Sequence, residues 1–234
     1  IIAGFRFDYA TLHDAGLTIE MPTSESDYIK PYEGEYDATN WTSLSPKVSM
    51  QYAFTNDFKT YISASGGFKP AKLKDLASSG KISKGFKLAN PHLKPERISN
   101  YEIGFDWQIH SRVSLRGASY YSLGKDFQYF VGTGDSTYTG GTSLKPVLRR
   151  ENISEVEIAG VELSASFSIL KGLTFNTNYT YNSSKIKEFD NQEYEKDLSG
   201  KYLIEIPAHQ AFAGLYWNNR IVNTAIIYHY IGTM

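Results

Sequence analysis

Between residues 98 and 110 the chain alternates without a break. Tyr101, Ile103, Phe105, Trp107 and Ile109 fall on one face, and Glu102, Gly104, Asp106 and Gln108 on the other. A period of two is the signature of a β-strand. In water the aromatic face would need a core, yet the opposite face is too polar to be a second one. The same pattern recurs along the chain. Phe5, Phe7 and Tyr9 alternate with Arg6 and Asp8, and Val48, Met50, Tyr52 and Phe54 with Lys47, Ser49 and Gln51. Leu173, Phe175, Thr177, Tyr179 and Tyr181 oppose Thr174, Asn176, Asn178, Thr180 and Asn182. That last polar row is uncharged and holds three Asn. It suits a water-filled interior better than the outside of a soluble sheet, where Lys and Glu would be expected. The pattern predicts an all-β protein of about nine strands and no helix.

Connection lengths point the same way. Short turns are expected at residues 55–57, 110–112, 171–172 and 218–220. They alternate with long polar connections: residues 11–40, a basic stretch at 69–97, a Gly/Ser/Thr-rich loop at 133–150 and a charged loop at 190–202. A membrane β-barrel has this asymmetry, with tight periplasmic turns and long extracellular loops. Its strands need only ~9–11 residues to cross the bilayer. The apolar face, represented by Tyr101, Ile103, Phe105, Trp107, Phe175 and Tyr179, is therefore expected to meet lipid, and the polar face a wet lumen. Closure of the sheet would then pair every backbone group. A charge placed at Gly104 or Gln108 should be milder than one at Ile103 or Phe105. Mean hydropathy is −0.37, which alternating strands produce by averaging. The 18 Tyr suit a boundary that is apolar at one end and wet at the other. A net charge of −1 gives no reason to expect a nucleic-acid partner. The absence of Cys excludes disulfides and thiolate metal sites. Two alternatives stand beside this reading: a smaller barrel acting as a passive channel or adhesin, and a secreted carbohydrate-binding β-sandwich.

No catalytic set is visible. His13, His92, His110, His209 and His229 are scattered, and Gly132–Ser136 lacks the following helix that a phosphate-cradling loop needs. No enzyme activity, metal or cofactor is expected. Charge is concentrated instead. Residues 72–97 hold seven basic and two acidic side chains, and Lys145, Arg149 and Arg150 follow later. Residues 13–37 hold seven acids against Lys30. The candidate substrate-binding residues are Lys84, Lys87, Arg149 and Arg150, placed to attract an anion. The plainer alternative is contact with lipopolysaccharide phosphates or with solvent. Tyr120, Tyr121, Phe127, Tyr129 and Phe130 read chiefly as an aromatic girdle at the bilayer edge.

Several stretches, taken in order, resemble the barrel of TonB-dependent outer-membrane receptors. Gly67, Phe68, Lys69 and Pro70 match a Gly-Phe-Arg-x-Pro-like stretch. Asn90, Pro91, Leu93, Pro95 and Glu96 match Asn-Pro-x-Leu-x-Pro-Glu, and Tyr101, Glu102 and Gly104 match the strand that follows. "IAGVELSASFSILKGLTFNTNYTY" and "IPAHQAFAGLYW" resemble later strands of the same family. The resemblance implies a plugged barrel of about 22 strands in the outer membrane of a Gram-negative bacterium. Residues 1–234 would be part of that single barrel domain, an excerpt holding under half its wall. The plug, the segment that meets the TonB-type energy coupler and the last strands would lie outside this sequence. The implied function is active import of a scarce nutrient, foremost a ferric siderophore, with outer-membrane lipid and lipopolysaccharide as surroundings. The two boxes also resemble those of haem receptors, which carry a His between them. Residues 71–89 contain none, and His92 lies inside the second box. This weakens the haem reading and leaves cobalamin, haem and glycans open as cargo.

Overall fold

The structure, a computed structural model, describes residues 1–12, 16–17, 34–35, 39–139, 142–189, 197–203 and 206–233. The strands are β1 (Ile2–Leu12), β2 (Gly16–Leu17), β3 (Gly34–Glu35), β4 (Thr39–Ala53), β5 (Phe58–Lys69), β6 (Gly80–Ile82), β7 (Gly85–Leu88), β8 (Glu96–His110), β9 (Val113–Tyr138), β10 (Leu144–Leu170), β11 (Leu173–Glu188), β12 (His209–Asn218) and β13 (Asn223–Ile231). Nine of them form one antiparallel path in the order β1-β4-β5-β8-β9-β10-β11-β12-β13. This is an all-β fold in which sequence neighbours pair along the path, as in an up-and-down barrel wall. Its tight turns fall at residues 54–57, 111–112, 171–172 and 219–222. Gly172 takes φ +84°, and a Cβ there would lie 2.2 Å from the Asn218 carbonyl oxygen, so this turn needs glycine.

Register carries each face across the sheet. On the apolar face Ile62 stands opposite Ile103, Tyr101 opposite Tyr121, Trp107 opposite Leu115 and Phe167 opposite Phe175. These side chains are open: Tyr101 is 51% exposed, Ile103 59% and Trp107 43%. At the short-turn end of this face Tyr52, Phe54, Phe58 and Trp107 form a chain of ring contacts with centroids 4.8–5.9 Å apart. The opposite face is hydrogen-bonded across strands. The Tyr61 hydroxyl donates to Glu102 Oε1 at 2.5 Å, Ser122 Oγ to Asn100 Oδ1 at 2.7 Å and Ser166 Oγ to Asn176 Oδ1 at 2.7 Å. Arg116 Nε lies 2.9 Å from Asp106, and the Tyr120 hydroxyl donates to Asn182.

Among the described residues, buried apolar side chains gather only at the end with long connections. One cluster is Val156, Ile186 and Leu203; the other is Ala71, Leu76 and Leu93, against Leu12 and Trp41. The rest of the wall has no aqueous core, and its exposed aliphatics and aromatics far exceed what a soluble sheet tolerates.

Four expectations are corrected. A short helix, α1 (Leu73–Ala77), stands in the basic stretch where none was expected. The supposed loop at 133–150 is largely strand, because β9 and β10 stay paired out to Tyr138 opposite Leu144. Gly104 is not a tolerant position: a Cβ there would meet the Tyr61 ring at 2.5 Å, because that ring covers the glycine from the neighbouring strand. The girdle group also divides. Tyr121 shares the apolar face with Tyr101, but Phe127 and Tyr129 pack on the Val156 cluster, and Tyr120 lies on the polar face. Asp126, at φ 54°, interrupts the alternation of β9 and turns Phe127 inward. Most of the acidic stretch at 13–37, and residues 190–196 of the charged loop, lie outside the described residues.

Candidate functional site

The long connection between β5 and β8 is described throughout and carries elements of its own. Pro70 ends β5, having no N–H to continue the ladder. The chain then makes α1 and the β6–β7 hairpin. β7 adds in parallel to β10, with Val147 opposite Phe86 and Arg149 opposite Leu88. It occupies the edge of β10 beyond the last β11 pair, Glu155 with Glu188. Gly85 starts β7 because a Cβ there would sit 2.1 Å from the Pro146 carbonyl oxygen. At the other end Leu76 and Leu93 pack on Leu12 and Trp41. By register those two share the face of Asp8, Ser43 and Ser45. The insert therefore crosses the polar face of the sheet, from β1 and β4 to β10.

Residues 90–96 latch it there. Asn90 Nδ2 donates to the Arg150 carbonyl at 2.9 Å and to Glu151 at 3.2 Å. Asn152 accepts from Lys94 N–H at 2.8 Å and donates to the carbonyls of Lys94 at 2.9 Å and Asp126 at 2.6 Å. Glu96, buried, accepts the Gln128 N–H at 3.0 Å and meets Lys69 Nζ at 2.5 Å. Asn152→Ala would leave the Lys94 N–H and two carbonyls without this partner. A loss of about 1–3 kcal/mol in local stability is expected, read as faster hydrogen exchange at Lys94 and its neighbours.

Asp75 is the centre of charge. Its side chain is 3% exposed, with Lys87 Nζ at 3.2 Å and Arg150 Nε at 3.4 Å. Lys87 also donates to the Lys74 carbonyl, and the Arg150 guanidinium lies 4.3 Å over the Phe130 ring. Lys84, Lys87 and Arg150 line one cleft of about 780 Å³ between the insert and the β9–β10 hairpin. Lys84 is exposed at its rim, Lys87 is buried, and Arg149 turns to Glu151 instead. On the β10–β11 pair Lys187 Nζ lies 3.3 Å from Glu155. In the neighbouring loop the Ser199 hydroxyl and N–H lower Asp197.

A family model described as TonB dependent receptor-like, beta-barrel, matches residues 1–233. The chain belongs to the TonB-dependent receptor family. Members of that family are outer-membrane proteins of Gram-negative bacteria that bind cargo and couple to TonB, and they are transporters and receptors rather than enzymes. The chain is 24% identical over 145 residues to the pesticin receptor of Yersinia pestis, covering 62% of this chain and 19% of that protein. It is 29% identical over 180 residues to the vitamin B12 transporter BtuB of Photobacterium profundum, covering 72% and 26%. Among solved structures it resembles the copper transporter OprC, with 18% identity, 97% and 31% coverage and a TM-score of 0.69. It also resembles the ferric yersiniabactin uptake receptor FyuA from Yersinia pestis, with 23% identity, 82% and 26% coverage and a TM-score of 0.51. The chain thus spans about a fifth to a quarter of the curated relatives it matches.

For this TonB-dependent receptor the family-like Asn90–Glu96 stretch has a structural role that its sequence did not disclose. Asn90, Lys94 and Glu96 bind the β9–β10 hairpin, about sixty residues away in sequence for the Asn90 and Lys94 contacts. Asp75, Gln128 and Asn152 were missed altogether. The one available signal was Asp75 as a lone acid among lysines.

Proposed function

We propose that residues 1–234 form one stretch of a single barrel domain in a receptor that actively imports a scarce nutrient, foremost a ferric siderophore. The observation that carries this reading is the lysine-rich cleft at the end with long connections, extracellular in a barrel of this kind. It suits a negatively charged chelate. The ferric yersiniabactin receptor among the structural neighbours supports the same cargo class. In this reading Tyr101, Ile103, Phe105, Trp107, Phe175 and Tyr179 meet lipid, Lys84 at the cleft rim and Arg149 beside it take part in cargo capture, and exposed basic residues outside the cleft meet lipopolysaccharide. Lys87 and Arg150 assist from beneath through Asp75. Energy arrives from a TonB-type coupler through a plug that lies outside this sequence, and the barrel itself catalyses nothing.

A second reading, cobalamin import, is favoured by the 29% identity to the vitamin B12 transporter. Uptake by cells carrying or lacking the full-length receptor separates the two. Radioiron uptake from a panel of ferric siderophores should fall to background without the receptor or without a working coupler. Unchanged iron uptake together with lost cobalamin uptake would replace the first reading with the second.

A further inference from the structure

We infer that one lipid A molecule seats on the apolar wall, with an acyl chain in a furrow over β5 and a phosphate on Arg97. Two shallow clefts of about 470 and 510 Å³ lie on the apolar face and share Val48, Ala64 and Tyr101. By register these three stand side by side on β4, β5 and β8. The middle residue is small and its neighbours are large. Gly66, opposite Ser99, continues the low floor towards the end with long connections, and in the other direction the furrow reaches Ile103. The outside of a barrel is convex, so a depression forms there only where small side chains lie between larger ridges. Left empty, its lining would forfeit dispersion contacts that a hydrocarbon chain restores.

Arg97 closes the upper end of the furrow. It stands opposite Phe68, its guanidinium lies 5.9 Å over that ring, and Nη2 donates to the Thr42 carbonyl at 3.3 Å. The side chain is exposed and makes no ion pair among the described residues. Lys125 stands across from it on β9 but is shared with Glu155, 3.8 Å away. A positioned guanidinium without a carboxylate presents the planar fork that phosphate oxygens match. An apolar furrow ending in such a cation fits an amphiphile with an anionic head and a hydrocarbon tail. It does not suit a neutral lipid or a soluble anion. The long connections mark the extracellular end of a barrel of this kind, so the occupant comes from the outer leaflet, where lipid A carries the phosphates. The seat depends on the reading of this face as lipid-facing. It narrows a general contact with lipopolysaccharide to one furrow and one guanidinium.

The full-length receptor, stripped of lipid in detergent, is mixed with purified lipid A or with phosphatidylglycerol. Native mass spectrometry then counts the lipids that each receptor retains. Arg97→Gln removes the cation and Ala64→Phe fills the furrow, and each should retain one lipid A fewer than the parent. Arg97→Lys, which keeps the charge, should lose less. Ala213→Phe, on the same face by register but outside the furrow, should match the parent. Heat-modifiable mobility is checked first, and Ala64→Leu replaces Ala64→Phe if the latter does not fold. Equal lipid A counts for the parent and both furrow variants would overturn the proposal. So would the absence of any retained lipid, or phosphatidylglycerol held as firmly as lipid A. Failure of the lipid-facing reading would show separately, as an Ile103→Arg receptor that folds into membranes as well as the parent.

Discussion

Ile103→Arg or Phe105→Arg in the full-length receptor should reduce folding into the membrane by about 2–4 kcal/mol if the site lies near mid-bilayer. Both residues share the apolar face, and Ile103 is 59% exposed. In lipid that exposure is favourable, whereas an arginine there must be desolvated or must deform the bilayer. Gln108→Lys, on the opposite face near the turn, should cost well under half as much. Gly104 is not a valid control, since any side chain displaces the Tyr61 ring. Folding yield into lipid vesicles, followed by heat-modifiable mobility, measures the difference. Equal losses for Ile103→Arg and Gln108→Lys would refute the assignment of faces.

Asp75→Ala should release the insert. It leaves Lys87, whose side chain is 8% exposed, without its carboxylate, and removes one partner of Arg150. Breaking a buried ion pair from one side costs about 3–5 kcal/mol, because the remaining charge stays desolvated. Lys87→Met should cost less than Asp75→Ala, since Asp75 keeps Arg150. The double variant should recover part of the Asp75→Ala loss, because both buried charges are gone. Limited proteolysis of residues 70–95 in the folded receptor reads the effect, with the barrel wall as internal control. If Asp75→Ala left the insert as resistant as in the parent, Asp75 would not be its anchor.

Alternation made the wall legible. A residue's parity between 98 and 110 determines its face, and the registers of β5, β8 and β9 carry that parity from strand to strand. The short turns were legible for the same reason, being the places where the period stops. The insert was not. Its helix is five residues long, with Asp75 and Leu76 buried by contacts that come from elsewhere. Asn90 bonds to a carbonyl sixty residues distant, and Asp126 reverses the alternation through one backbone angle. Basic composition located the candidate site but did not separate its roles. Lys87 and Lys84 are equivalent as letters, yet one is buried against Asp75 and the other stands at the rim. Burial depends on tertiary partners that local pattern does not encode.

The central claim is that successive residues of β8 face alternately lipid and water within an outer-membrane barrel. Residues 1–234 hold no cysteine, so, with any cysteine elsewhere in the full-length receptor replaced, single cysteines can be introduced at positions 101, 102, 103, 105, 106, 107 and 108 and spin-labelled in vesicles. Collision rates with oxygen, which partitions into lipid, and with a water-soluble nickel chelate should then alternate with a period of two. Oxygen should dominate at 101, 103, 105 and 107, and the polar reagent at 102, 106 and 108. Uniform access of the nickel chelate to all seven positions would contradict the account and return the chain to the soluble sheets.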